Sequence, residues 1–362
     1  MKIPFIDLQK QYRLYKHEIN KEINDVLESC IFIGGDKIEN LEKQLALFTG
    51  SKYAVTCSSG TDALLLSLMA LGIKRGDEVI TTPFTFIATA EVIAFLGAKL
   101  VFVDIDEKTY NINPRKIEES ITKKTKAILP VSLYGQPADM DEINRIAKKY
   151  DLKVIEDGCQ SFGATYKNQK SCNLSDIGCT SFFPSKPLGC YGDGGAVFTN
   201  SKELADKIKM LLNHGQNERY KHKYIGINGR LDALQAAILL VKLKYFPTEI
   251  KQRKDIGNRY TKLLSDSNII TPYIKNDRTS VYAQYSIRVQ NRDKIIEKLN
   301  TLGIPTAVHY PMPLHLQKCF EYLGYKNGDF PISENISKEI MSLPMSPYLE
   351  KNDQDIIIKE LL

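Results

Sequence analysis

Through the first two-thirds of the chain, short and almost unbroken apolar runs alternate with segments whose apolar residues recur at helical spacing. The runs are KYAVTC (52–57), DEVITTPFT (77–85), KLVFVDI (99–105), KAILPVSLYG (126–135), LKVIEDG (152–158), DIGCTSFF (176–183) and GGAVFTN (194–200). Strands covered on both faces read this way, because neither face turns side chains to water. Between them Ile38, Leu41, Leu45 and Phe48 share one helical face, as do Met140, Ile143, Ala147 and Tyr150. Leu204, Ile208, Leu211 and Leu212 form another. Asp139, with Glu142 three residues on, is expected to cap the second of these helices. The alternation predicts an α/β fold with a large, mostly parallel sheet of about seven strands covered by helices.

A long apolar helical pattern from Leu231 to Phe246 runs into Pro247, which is expected to kink or break it. A charged helical stretch follows, to about Ser265. The domain boundary is placed at the proline, giving a large domain over 1–246 and a smaller α+β domain over 247–362. The second domain reads as a strand at YSIRVQ (285–290), a helix from Arg292 to Leu302 closed by Gly303, a strand at PTAVHY (305–310) and a C-terminal helix. No internal repeat or low-complexity tract interrupts the chain.

Composition narrows the class. With 43% apolar and 25% charged residues over 362 positions, the core can be large and needs neither disulfides nor a structural metal. The cysteines (Cys30, Cys57, Cys159, Cys172, Cys179, Cys190 and Cys319) are odd in number, scattered, and form no C-x-x-C pair. That pattern fits reduced thiols in the cytoplasm, and neither they nor the five histidines cluster at ligand spacing, so no metal is expected. The start, MKIPFIDLQKQY, lacks the apolar core of a signal peptide, and the longest apolar run, Ala63 to Leu71, is too short to span a bilayer. The expectation is a soluble, cytoplasmic protein with no membrane partner. The net charge of +6 is spread over lysines along the whole chain, which points to solvated helix faces rather than to nucleic acid. A modest positive bias also suits an anionic small substrate.

Ligands of open α/β sheets sit beyond the carboxyl ends of the strands, and three segments place suggestive residues there. Ser58-Ser59-Gly60-Thr61-Asp62 joins a strand to a helix starting near Ala63. It reads either as a plain N-cap turn or as a cup whose free N–H groups hold a phosphate. No G-x-G-x-x-G or G-x-x-x-x-G-K-[ST] pattern stands there, which argues against dinucleotide and P-loop sites. Val154-Ile155-Glu156-Asp157 ends a buried strand in two carboxylates, which serve either a structural cap or ion pair, or a cationic ligand. Ser181-Phe182-Phe183-Pro184-Ser185-Lys186-Pro187, then Gly192-Asp193-Gly194-Gly195, puts a lysine after an apolar strand among prolines and glycines. Alone, such a lysine reads as a surface residue. Together, a lysine, a strand-end carboxylate and a phosphate cup on one sheet are the parts of a pyridoxal-phosphate site, in which an Asp keeps the pyridine nitrogen protonated.

The blocks IPFIDLQKQY (3–12), SSGTDAL, TTPFTFIATA, VIEDGCQSFGA, TSFFPSKPLG, GDGGAVFTN, GINGRLDALQAA (226–237), HYPMPL (309–314) and SLPMSPYL (342–349) resemble the DegT/DnrJ/EryC1/StrS sugar aminotransferases over nearly the whole length. That resemblance implies the aspartate-aminotransferase-like fold (fold type I) and pyridoxal 5′-phosphate as cofactor. It also implies a homodimer with shared active sites. Matched position by position, Lys186 is the Schiff-base lysine and shuttles the proton. Asp157 holds the pyridine nitrogen, and Gln160 lies near the ring oxygen. Gly60, Thr61 and Ser181 bind the phosphate, and Phe86 stacks on the ring. Asn228 reaches the phosphate in the neighbouring subunit. The blocks GQPADMDEI (135–143), 163–200, SVYAQY (280–285) and PTAVHYPMPL (305–314) are most like the branch that aminates C3 of UDP-2-acetamido-2-deoxy-3-oxo-glucuronic acid, with glutamate as expected donor. There the counterparts of Arg230, His309 and Tyr310 contact substrate, and an Arg suits a uronate carboxylate or a diphosphate. The neutral 3-oxo-glucose derivative is the alternative substrate. Two other classes compete with this one: a dehydratase of the same fold, which would carry histidine in place of Lys186, and a non-catalytic binding protein, which would have no need of the whole set.

Overall fold

The computed structural model describes residues 3–362. The chain opens with α1 (Leu8–Ser29), α2 (Asp36–Thr49), β1 (Tyr53–Cys57), α3 (Gly60–Ala70), β2 (Glu78–Thr81), α4 (Ala88–Phe95) and β3 (Lys99–Phe102). It continues through β4 (Thr125–Ile128), α5 (Met140–Lys149), β5 (Lys153–Asp157) and a small hairpin, β6 (Thr165–Tyr166) and β7 (Gln169–Lys170). Next come β8 (Ile177–Ser181), β9 (Gly195–Thr199), α6 (Lys202–Leu211), a second hairpin of β10 (Gln216–Glu218) and β11 (Lys221–His222), and α7 (Ala233–Leu263). The last part holds β12 (Tyr285–Arg288), α8 (Arg292–Thr301), α9 (Pro331–Glu339), β13 (Ile340–Leu343) and α10 (Lys351–Leu361).

All seven expected runs pair into one sheet of order β1-β9-β8-β5-β4-β2-β3. Only β9 runs against its neighbours, pairing antiparallel with both β1 and β8. The α3 helix is apolar on all sides, with Ala63, Leu64, Leu66 and Leu68 buried against the sheet on one face. On the other face α2 and the first half of α7 close over Phe182, Ala196 and Phe198. A helix apolar all round belongs in such a sandwiched layer. Among the described residues no helix is long and apolar enough to cross a membrane, and all seven cysteines are free.

Four local expectations need correction. Pro247 does not break its helix: α7 runs through it as one element. The missing hydrogen bond costs about 3 kcal/mol, but Phe246 and Glu249 on either side are buried at 0% and 1% exposure, so packing holds both halves in line. The segment 305–310 is not a strand, because only Ala307 bridges, to Ser342. Pro305 opens it, Pro311 follows it, and neither can donate to a ladder, and β12 pairs instead with the fully buried β13. Asp139 sits at the N-cap of α5 without capping it; its carboxylate accepts from Lys275 Nζ at 2.8 Å and Arg278 Nη2 at 2.7 Å. Helix α3 starts at Gly60, ahead of the expected Ala63. Helix α1 escaped the pattern altogether, since it buries only Gln11, Ile19 and Val26, about one residue every two turns.

Candidate active site

The carboxyl ends of β1, β5 and β8 bring three loops together. Because β9 runs backwards between β1 and β8, its first residue, Gly195, pairs with Cys57 on one side and Ser181 on the other. That lays the turn after β1 beside the end of β8. Ser59 is the N-cap of α3, its hydroxyl accepting from Asp62 N at 3.0 Å. The cap serves one N–H, and those of Gly60 and Thr61 in the first turn have no helical acceptor. The turn is capped, and it also presents Gly60 and Thr61 to a cavity. Space there is tight. A Cβ on Gly60 would lie 2.6 Å from Ser181 Cβ, and one on Gly195 would lie 2.3 Å from the Ser59 carbonyl oxygen.

Strand β5 turns its two acids to opposite sides, as alternation requires. Glu156 is fully buried and accepts from Ser132 Oγ at 3.0 Å, Ser171 Oγ at 2.6 Å and Cys172 N at 2.8 Å. Burial raises its carboxyl above the usual range, outweighing these donors. Asp157 faces the cavity, where Oδ2 accepts from Thr89 Oγ1 at 2.8 Å and Oδ1 from Cys159 N at 3.2 Å. Among the described residues no cation lies within ion-pair distance of it. Gln160, one turn on, accepts from Tyr134 N at 2.7 Å and donates to Tyr310 Oη at 3.1 Å.

The loop after β8 carries the lysine. Phe182 N donates to Gly194 O and Cys190 N to Phe182 O, each at 2.7 Å, so the two ends of the loop are tied and Lys186 stands at its apex. Pro187 disfavours helical geometry at Lys186. Behind the loop the buried Lys242 ammonium of α7 donates to the Gly189 carbonyl, and desolvation pulls its pKa down to about 8.

From the C-terminal part come His309 and Tyr310. Burial and then the Lys186 charge lower His309 to about 4, so its imidazole is neutral at ordinary pH. Burial and then the Asp157 charge raise the Tyr310 phenol well above its ordinary value. The Tyr310 ring lies 6.2 Å from that of Phe86, which is itself 56% exposed.

Gly60, Thr61, Phe86, Asp157, Gln160 and Ser181 thus line one cavity of about 510 Å³, together with Lys186, His309 and Tyr310. Asn228 and Arg230 do not line it. Asn228 is exposed, bridging Asn213. Arg230 Nη1 donates to Asn213 Oδ1, and its Nε is buried without a partner. Sequence reasoning missed Thr89, Cys159, Asp193 and Gln284 in the lining. All four stand inside quoted blocks, but their type alone carries no signal.

These residues suit pyridoxal 5′-phosphate on grounds visible in the fold. A helix start with free N–H groups and a glycine-made hollow accepts a phosphate, a buried carboxylate without a cation suits a protonated pyridine, and a lysine stands on the same wall.

Comparison with known proteins agrees. The profile of the DegT/DnrJ/EryC1/StrS aminotransferase family matches residues 14–362. A UDP-2-acetamido-2-deoxy-3-oxo-D-glucuronate aminotransferase of Pseudomonas aeruginosa is 51% identical over 359 residues, 99% of each chain. A UDP-N-acetyl-3-dehydro-α-D-glucosamine 3-aminotransferase of Acidithiobacillus ferrooxidans is 41% identical, covering 96% of this chain and 94% of its own. The crystal structure of NtdA from Bacillus subtilis, solved with bound cofactor PMP, superposes with a TM-score of 0.92 at 35% identity, over 99% of this chain and 84% of that one. With the fold, the cavity and the likeness all pointing one way, the chain belongs to the DegT/DnrJ/EryC1/StrS aminotransferase family and is a pyridoxal-phosphate-dependent transaminase.

Proposed function

We propose that this enzyme transfers the amino group of glutamate to C3 of UDP-2-acetamido-2-deoxy-3-oxo-glucuronate in two half-reactions at the Lys186 cavity. The observation that carries the reading is the 51% identity, end to end, with an enzyme named for that substrate. Pyridoxal 5′-phosphate supplies the electron sink that lets an amino group leave one carbon and join another. Lys186 Nζ would hold the cofactor covalently at rest and would be the group that carries the proton during turnover. The Asp157 carboxylate keeps the pyridine nitrogen protonated. The N–H groups of Gly60 and Thr61 and the Ser181 hydroxyl would hold the phosphate, and Phe86 and Gln160, on the same cavity wall, would hold the ring. His309 and Tyr310 meet the sugar.

Asn228 and Arg230 serve the site of a second copy, Asn228 at the phosphate and Arg230 at the uronate carboxylate or the diphosphate. Their placement outside their own cavity supports this, as does the apolar surface nearby on the chain, where Ile225 is 92% and Tyr220 77% exposed. The division into a cofactor domain (1–246) and a C-terminal domain (247–362) is supported by the change of partner along α7. Leu243 and Phe246 pack with the sheet, while Ile256 and Tyr260 pack with Tyr285 and Met341. Ile3 crosses to join that second core. Seven free thiols support a cytoplasmic location, and the product suits cell-surface polysaccharide or lipopolysaccharide synthesis.

Mass spectrometry of products from a panel of UDP-linked 3-keto sugars with glutamate tests the reading. The glucuronate derivative is expected to be aminated best. Preference for the neutral glucose derivative, whose aminotransferase is the 41% relative, would replace it.

A further inference from the structure

Helix α7 carries a polar stripe into the core. Gln235, Lys242 and Glu249 recur every seven residues, which sets them about two turns apart on one face, and Lys242 and Glu249 are each buried at 1% exposure. The stripe meets the loop that carries Lys186 at two points. Gln235 Oε1 accepts from Tyr191 N at 2.9 Å. The Lys242 ammonium donates to the Gly189 carbonyl and lies 5.2 Å from the centre of the Tyr191 ring.

We propose that Gln235 and Lys242 are positioning residues for Lys186: they clamp the far limb of the loop to α7 and so fix where the Lys186 amine stands in the cavity.

A buried ammonium loses its hydration and is unfavourable unless a specific partner answers it. Among the described residues no carboxylate lies within ion-pair distance of Lys242. Glu249, the acid of the stripe, is engaged elsewhere, accepting from Gln11 Nε2 at 3.0 Å, Tyr15 Oη at 3.1 Å and the Tyr348 phenol. The partners of Lys242 are therefore the carbonyl and the ring of the loop itself. Displacement of Gly189 is passed on to Lys186 because the loop closes on itself. A Cβ on Gly189 would lie 2.6 Å from the carbonyl oxygens of both Phe183 and Pro184, so the far limb rests directly on the near one. Lys186 N donates to that same Phe183 carbonyl at 2.8 Å. Neither Gln235 nor Lys242 lines the cavity, so both act through the loop and touch no substrate. The inference rests on the reading of Lys186 as the lysine that holds the cofactor.

The test is Lys242→Met, which keeps most of the volume and removes the ammonium. Relief of the buried charge and loss of the carbonyl's donor oppose each other, so the melting temperature should move by no more than about 4 °C. Deuterium exchange in the holoenzyme should quicken within residues 183–191 while β8 and β9 keep their protection. Covalent capture of pyridoxal 5′-phosphate by the cofactor-free full chain, followed by visible absorbance, should slow about tenfold, the order expected of a slightly misplaced reacting group. In separated half-reactions kcat should fall by similar factors, with each KM within about twofold of wild type. Gln235→Leu should show the same signature, and Gln235→Glu, which keeps an acceptor for Tyr191 N, should regain most of what Gln235→Leu loses. Unchanged loop exchange, or unchanged capture and kcat, in Lys242→Met would overturn the clamp. So would a large fall in melting temperature with exchange raised throughout the core, the mark of a lysine that only supports the fold. If Lys242→Met does not fold, Gln235→Leu is read in the same way. Borohydride fixing of the cofactor to a lysine other than Lys186 would sink the Lys186 reading and the proposal with it, an outcome distinct from unchanged capture at Lys186.

Discussion

Gly60 and Ser181 stand so close that a single methyl group between them has no room: a Cβ on Gly60 would sit 2.6 Å from Ser181 Cβ and 3.2 Å from Cys159 Sγ. The first turn of α3 and the last residue of β8 are locked at this distance by the β9 ladder. Gly60→Ala must push them apart, and overpacking of this kind costs about 1–3 kcal/mol. The strain falls on the proposed phosphate cup, so cofactor retention should weaken about ten- to hundredfold while the far-ultraviolet circular dichroism stays native. Titration of the apoprotein with cofactor checks this, and unaltered retention would mean that the cup lies elsewhere.

Among the described residues Asp157 accepts from neutral donors, Thr89 Oγ1 and Cys159 N, and no cation there competes with the proposed pairing to the pyridine nitrogen. Asp157→Ala should lose roughly 3 kcal/mol of transition-state stabilisation, typical of an electrostatic contact at a reacting centre. Asp157→Asn, which keeps the shape but not the charge, should be nearly as poor. Near-normal kcat in a folded, cofactor-loaded Asp157→Asn enzyme would refute the pairing.

Lys186 lines its own chain's cavity and Asn228 does not. With the proposed dimer and shared site, the Lys186→Ala and Asn228→Asp proteins should each be nearly inactive, the second because a negative charge would be set against the phosphate. In a mixed dimer one site combines both lesions and the other is intact. Subunit exchange should therefore restore activity towards one working site per heterodimer. Absence of recovery, with exchange confirmed by native mass spectrometry, would show that both residues serve the same chain's site.

His309 carries a pH signature. Its folded pKa is depressed to about 4 from an unfolded value of 6.5. Between these values the unfolded chain binds a proton that the native chain does not, so stability falls as pH falls through that window and is level above it. His309→Asn should flatten the melting temperature between pH 6.5 and 4 relative to wild type. Parallel curves for the two proteins would mean that the ring is not held neutral by burial.

Strand placement was legible wherever periodicity is local. All seven runs became strands of one sheet, because strands covered on both faces must be apolar throughout, whatever lies next to them. The ends of those strands were legible as well, and so the turn at Gly60, the carboxylate at Asp157 and the lysine at Lys186, which line one cavity, could be picked out one at a time. Features that depend on a distant partner were not. Asp139 looks like a cap but is drawn to Lys275 and Arg278, more than a hundred residues away. The 305–310 run looks like a strand, yet the place beside β12 belongs to β13. Pro247 looks like a break, yet the burial of Phe246 and Glu249 on either side carries α7 through it.

The sequence by itself therefore determined the elements, the family likeness and the chemical types at each strand end, because these follow from short-range spacing and side-chain chemistry. Only the tertiary structure decided that Gly60 meets Ser181 and that His309 hangs from Ser342. Both depend on which strand lies beside which, β9 reversed between β1 and β8 in one case and β12 against β13 in the other. Strand order is chosen by the packing of the whole chain, and no local stretch of residues encodes it.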